Sequence, residues 1–196
     1  MTRSRRLPPF VATLAAFAAS LVFATPAGAD VDRDKLQKLH AAFVLNFMKF
    51  TAWPDAPADR PLRVVVLGQR GVADALSAAA RGRQVQGRPV LAEPAAAPPA
   101  ADADRDVWNA YLDRVLSRDV VYAPADRPAA LRRLTAAAAG RPVLVVADRP
   151  AGIAAGSMLA FDLQDGRVIF HAGRRALAAS GVTVKAPLLK LARMHD

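Results

Sequence analysis

The chain has 196 residues with a formal charge of +10, no cysteine, and an apolar share of 53%. It is long enough for one real core, and it must hold that core without disulfides. The missing cysteines exclude a cysteine nucleophile and any cysteine-based metal site.

The first thirty residues have the three parts of a secretory signal. Arg3, Arg5 and Arg6 form a positive head, Phe10 to Phe23 an apolar stretch, and Ala27-Gly28-Ala29 a small-residue cleavage site after Pro26. The stretch is short of the roughly 20 apolar residues that span a bilayer. Cleavage is expected after Ala29, so that residues 1–29 are a signal peptide and 30–196 one exported domain. Prolines 8 and 9 argue against twin-arginine export, although Arg5-Arg6 is present. Without the three arginines of the head the charge is +7. No later apolar run reaches spanning length, and the basic residues are scattered in runs of at most two. In an exported chain this balance points to acidic partners, anionic headgroups or solubility, and not to nucleic acid.

From Asp32 to Phe50 the apolar residues Leu36, Leu39, Phe43, Phe47 and Phe50 recur at helical steps, and Asp32 and Asp34 sit where carboxylates favour a helix start. Trp53-Pro54 ends that helix. Leu62 to Leu67, closed by Gly68, reads as a strand buried on both faces. A helix over Val72 to Ala80 follows, then a small second strand at Val85 and Val90-Leu91. Pro94 to Asp104 has no periodicity and is expected to be a loop or flexible linker. Val107 to Leu116 predicts a helix, Asp119 to Tyr122 a strand, Pro128 to Ala139 a helix with proline in its first turn, and Pro142 to Ala147 another buried strand. Met158 to Leu163 and Arg167 to His171 flank Gln164-Asp165-Gly166 as an antiparallel hairpin. Arg174 to Ala179 predicts a short helix, Val182 to Val184 a strand, and Pro187 to Met194 a terminal helix. The whole is an α/β fold: a single domain with a mixed β-sheet flanked by helices and a C-terminal β-hairpin.

A search for chemistry finds little. His40 lies beside the apolar stripe, His171 ends a strand, and His195 is penultimate and expected to fray. The three are dispersed, without zinc-type spacing, so no metal site is expected. Glu93 is the only glutamate, and most aspartates stand in loops or at helix starts. Ser157 lacks a nucleophile elbow. Gly68-Gln69-Arg70-Gly71 sits between strand and helix, where phosphate loops occur, yet it lacks the third glycine and the lysine, so a plain turn is the better reading. No catalytic constellation and no cofactor are expected, and an enzyme is disfavoured.

Two stretches carry a resemblance. Leu39-His40-Ala41-Ala42-Phe43-Val44-Leu45-Asn46-Phe47-Met48-Lys49-Phe50-Thr51-Ala52-Trp53-Pro54 and Val182-Thr183-Val184-Lys185-Ala186-Pro187-Leu188-Leu189-Lys190-Leu191-Ala192-Arg193 resemble the opening and closing motifs of the YfiR family. Val64 to Gly68, Val143 to Asp148, Gly156-Ser157-Met158 and Gly166 to Phe170 match between them in order. The resemblance implies a periplasmic protein that binds and restrains the extracytoplasmic part of an inner-membrane diguanylate cyclase or sensor kinase, with effects on cyclic-di-GMP and biofilm. It also implies that an outer-membrane lipoprotein relieves the restraint in one arrangement. A homodimer is a fair default. A periplasmic small-ligand binder that feeds another system is the alternative.

The family's usual cysteines are replaced here, near Val65 and Arg118, so disulfide-based redox control does not apply. Its Ser-Ser pair is Lys185-Ala186, and an expected asparagine is Gly173.

Among the motif residues, Phe43, Phe47 and Phe50 read first as core, and Phe50 also as part of the motif surface. Asn46 and Lys49 flank the stripe. The Asn46 amide needs hydrogen-bond partners, either fixing the loop after Trp53 or meeting another molecule. Trp53 and Pro54 either cap the core or anchor an interface. Lys185, Lys190 and Arg193 either gather an acidic partner, the last two being one helical turn apart, or are basic residues suited to a helix C-terminus.

Overall fold

The computed structural model describes residues 27–54, 57, 59–164 and 167–196. The expected apolar signal run and the tip of the hairpin turn at 165–166 lie outside the described residues. Of the expected cleavage site only Ala27 to Ala29 is described, as the start of the first helix.

In chain order the elements are α1 (Ala27–Lys49), β1 (Thr51–Ala52), β2 (Leu62–Leu67), α2 (Arg70–Ala80), β3 (Gln84–Val85), β4 (Arg88–Ala95), α3 (Arg105–Val115), β5 (Val120–Ala123), α4 (Pro128–Ala138), β6 (Leu144–Ala147), α5 (Ala151–Ala154), β7 (Leu159–Gln164), β8 (Arg167–Gly173), α6 (Arg174–Ala178), β9 (Thr183–Val184), α7 (Ala186–Leu189) and β10 (Arg193–His195). The main sheet runs β10-β8-β7-β6-β5-β2-β4-β3. β4, β2, β5, β6 and β7 are parallel, β8 runs antiparallel to β7 but parallel to β10, and β3 is antiparallel to β4. The sheet is therefore mixed, with the hairpin β7–β8 at one end.

The buried strands read as continuous apolar runs because both faces are covered. Side chains alternate across each strand. Val64, Val66, Val120, Tyr122, Leu144 and Val146 face a core shared with α1 and α2. Val65, Leu67, Val121, Ala123, Val145 and Ala147 face a second core filled by Trp108 and Tyr111 of α3 and Leu131 and Leu134 of α4. Gly68 ends β2 at φ +68°, with Ala97 crowding the place a side chain would take, so glycine is required there.

Two expectations are corrected and a third is narrowed. The terminal helix stops after Leu189, and Arg193–His195 forms a strand parallel to β8, with Arg193 opposite His171. One turn of helix has little stability of its own, and β8 offers an open row of backbone partners. Second, β4 continues through Pro94 to Ala95. Proline is tolerated because β3 pairs only the first two residues of β4, leaving no second ladder for Pro94 to serve. Third, of the two readings for the segment after it, loop or flexible linker, residues 96–104 are a loop tied down along its length. Trp108 Nε1 donates to Ala100 O (2.9 Å), Tyr111 Oη to Ala96 O (3.1 Å), and Arg127 and Arg133 to Pro98 O and Ala101 O.

Candidate functional site

The two motif stretches meet. Phe47 is fully buried, its ring stacked on Phe161 at 5.2 Å and tilted against Phe170 at 5.2 Å. The chain turns tightly at Phe50, and Thr51 Oγ1 donates to Phe47 O at 2.9 Å. β1 then pairs antiparallel with β9, Thr51 opposite Val184, and Lys185 N–H donates to Phe50 O at 2.7 Å. Val184 and Leu188 complete the same core as Phe47. A two-stranded ladder thus joins residues that are over 130 positions apart.

The end of α1 is held by a residue that sequence reasoning missed. Gln86 Nε2 donates to Met48 O (2.7 Å), a carbonyl that the helix end leaves open, and to Thr51 O (2.6 Å) at the start of β1. Gln86 has φ +55° and Gly87 φ +76°, the backbone of a two-residue hairpin turn between β3 and β4. Gln-Gly between Val85 and Arg88 was the available signal, weak because glutamine rarely takes positive φ.

The nominated residues separate by exposure. Trp53 is buried, its Nε1 donating to Asp119 O at 3.1 Å, so its indole serves the core. Asp119 is buried beside it and accepts two bonds from Arg60 (3.1 and 2.6 Å) and one from Arg63 N–H (2.7 Å). Phe50 is half-buried against the core, and Pro54 is exposed. Lys185 and Lys190 are exposed on either side of α7. Arg193 lies in β10, so the helical pairing expected for Lys190 and Arg193 does not form.

Asn46 and Lys49 line an open groove of about 600 Å³, together with Phe43 and Leu45 of α1 and Arg83 and Val85 near β3. Among the described residues Asn46 makes no side-chain hydrogen bond, so it does not fix the loop after Trp53; there Arg60 is held by the Asp119 carboxylate and by Arg88 Nε donating to its carbonyl.

A second cleft of about 600 Å³ lies outside the carboxyl ends of β2 and β6, next to β5. The connection after β2 goes to β4 on one side and the next returns to β5 on the other, the type of switch where α/β sheets hold ligands. Arg33, Gln37 and His40 of α1, Gln69 and Arg70 of the β2–α2 turn, and Asp148 after β6 contribute to it. Gln69 Nε2 donates to Asp148 Oδ2 at 3.0 Å, and Arg149 pairs with the same carboxylate, so the Gly68–Gly71 segment acts as a braced turn. His40 Nδ1 lies 2.6 Å from Tyr122 Oη, and its ring stacks on Phe161 at 4.7 Å. Burial lowers the His40 pKa, partly offset by Asp148, and burial drives the Tyr122 phenol well above its usual range. Both groups are thus neutral near pH 7, and a single hydrogen bond joins His40 Nδ1 and Tyr122 Oη.

The other two histidines correct the expectation of dispersal and of a frayed end. His171 Nδ1 and His195 Nε2 are 2.6 Å apart, with the rings stacked at 4.8 Å, and His171 Nε2 faces Asp162 Oδ2 at 3.3 Å. Among the described residues no group of three histidine or acidic side chains could hold a metal ion, and no helix is long and apolar enough to cross a membrane.

Comparison with known proteins agrees with the resemblance. A family model described as YfiR/HmsC-like matches residues 37–193. No curated protein matches the chain. A crystal structure described as a conserved domain protein from Vibrio cholerae O1 biovar El Tor str. N16961 has a TM-score of 0.53 at 12% identity, over 82% of this chain and 60% of that one. That likeness is one of fold, and this chain spans less than two thirds of the other's length.

Proposed function

Because the chain belongs to the YfiR/HmsC-like family, we propose that it is a periplasmic regulatory protein that binds the extracytoplasmic part of a membrane diguanylate cyclase, or a related sensor kinase, and holds it inactive. Family membership supports a regulator of diguanylate cyclase signalling in general, and regulation in place of catalysis. The finer reading, direct restraint of one receptor, rests on the family match over residues 37–193. Restraint works by population shift: binding the inactive receptor more tightly than the active one moves the equilibrium towards it. Relief by an outer-membrane lipoprotein would follow if that protein competed for the same regulator. The expected signal peptide supports this reading, since export would bring the chain to the side of the inner membrane where such a receptor domain lies.

Deleting the gene should raise cyclic-di-GMP and biofilm, and the tagged protein should retain the receptor from solubilised membranes. Unchanged cyclic-di-GMP together with no membrane partner would overturn the reading.

The cleft at the strand ends favours a second reading, a periplasmic small-ligand binder feeding another signalling or transport system. Arg33, Arg70 and Arg149 around it suit an anion. A thermal-shift screen against anionic metabolites should give a saturable rise in melting temperature, and a flat response across the panel removes this reading.

A further inference from the structure

The groove beside α1 continues past the hairpin β3–β4. A second depression, of about 530 Å³, shares Ala80, Arg83, Gln84 and Val90 with it and adds Arg81 and Leu91. Three exposed cations, Lys49, Arg81 and Arg83, stand along this surface, and neither lining contains an aspartate or glutamate. Elsewhere Lys38, Arg60, Arg118, Arg149 and Arg174 each find a carboxylate. Lys49, Arg81 and Arg83 find none among the described residues.

Between the cations the groove is apolar. Phe43 and Ala79 are half-buried, Val85 and Val90 form buried parts of the lining, and Leu91 is 53% exposed. Asn46 adds an amide with a free donor and a free acceptor, the two groups that read a peptide backbone.

We propose that this groove is the receptor-docking surface and that it takes an acidic segment bearing an apolar anchor. The segment's carboxylates pair with Lys49, Arg81 and Arg83, its anchor covers Phe43 and Val90, and its backbone meets Asn46. Charge complementarity selects this occupant: a chain that keeps a formal charge of +7 without the arginines of its expected signal peptide, and presents a basic groove, is a poor match for a second copy of itself. A concave channel walled by α1 and a hairpin also suits a narrow polypeptide better than a flat bilayer. The inference rests on the regulator reading for the existence of the receptor and adds where, and by what chemistry, it is held.

The test is photocrosslinking in cells with the full exported chain, benzoylphenylalanine replacing Ala42, an exposed residue of the groove wall. The adduct should map to an acid-rich extracytoplasmic segment of a membrane protein. Lys49→Glu with Arg83→Glu should cut its yield about tenfold or more, the scale of losing one buried charge contact. Arg105→Glu with Arg132→Glu, exposed on α3 and α4 on the other side of the sheet, should leave it unchanged and matches the change in net charge. An adduct to lipid, to a second copy or to a segment without acidic residues overturns the proposal, as does a yield unaffected by the groove reversal. Circular dichroism of the purified variants shows that the fold is retained, and Lys49→Gln with Arg83→Gln provides a milder pair should the reversal fail to fold. Deletion that changes cyclic-di-GMP when the groove reversal does not overturns the groove alone. Deletion without effect, together with no membrane partner retained by the tagged protein, overturns the regulator reading itself.

Discussion

The buried His40–Tyr122 pair makes stability depend on pH in a definite direction. His40 is 9% exposed, and burial holds its folded pKa below the unfolded value of 6.5. Above pH 6.5 the ring is neutral in both states and nothing is lost. Below it the unfolded chain takes up a proton that the folded ring refuses, so stability falls as pH falls towards the folded pKa. While the folded ring stays neutral the slope approaches about 1.4 kcal/mol per pH unit; over the step from about pH 6.5 to 5.5, which starts with the unfolded ring half protonated, the loss through this residue is at most about 1 kcal/mol. His40→Phe keeps an aromatic partner for Phe161 and removes the titration. It also leaves the Tyr122 hydroxyl unpaired, an offset of about 1–3 kcal/mol that does not vary over this range. Urea unfolding of both proteins at several pH values gives the comparison. Other titrating groups are common to both and cancel if they are not coupled to the site. The gap between wild type and variant should therefore narrow on acidification. A gap that stays constant or widens between about pH 7 and 5 refutes the argument.

Phe47→Ala removes a fully buried ring that contacts Phe43, Phe161 and Phe170, and chemical denaturation should show a loss of about 3–5 kcal/mol. Asp119→Ala strands the Arg63 amide and a half-exposed Arg60. The expected loss is about 2–3 kcal/mol, below that for a fully buried pair because Arg60 retains water. Asp119→Asn should recover part of it, both changes being read by thermal unfolding. The contact between His171 Nδ1 and His195 Nε2 at 2.6 Å ties β10 to β8 through side chains as well as through the ladder. His195→Ala should lower amide protection across β10 in hydrogen exchange, and unchanged protection would show that the backbone ladder alone holds the strand.

The elements legible in the sequence were those whose apolar pattern is imposed by burial on both faces. β2 occupies Leu62–Leu67 as read, and the hairpin strands fall within two residues of expectation. β10 was not legible, because Arg193, Met194 and His195 are all exposed and carry no alternation. Their strand character comes from the free edge of β8, a tertiary fact. The same helical spacing that identified α1 made a helix of 187–194 plausible, yet only Leu188 there is buried deeply enough to hold a helix to the core. Contacts such as Gln86 to Met48 and His40 to Tyr122 join positions 38 and 82 apart. A polar residue's partner at that range leaves no periodic trace.

The motif that suggested the family mixes two kinds of residue, and the structure separates them. Phe47, Thr51 and Trp53 are buried and fix how α1 enters the ladder β1–β9. Asn46 and Lys49 look outward from the same two turns. Because α1, β1 and β9 form one connected unit, a change at a buried position moves the exposed ones with it. Loss of regulation on mutating Trp53 is therefore no evidence that Trp53 touches the receptor. Its indole is bonded to Asp119 O, and the Asp119 carboxylate holds Arg60. Lys49 allows the cleaner inference: it is exposed and has no ion pair among the described residues, so its reversal changes the groove's charge without removing an internal bond. A Lys49→Glu protein that keeps the wild-type unfolding midpoint but raises cyclic-di-GMP as deletion does would assign the motif's outer face to recognition. The same rise accompanied by a lowered midpoint would assign it to folding.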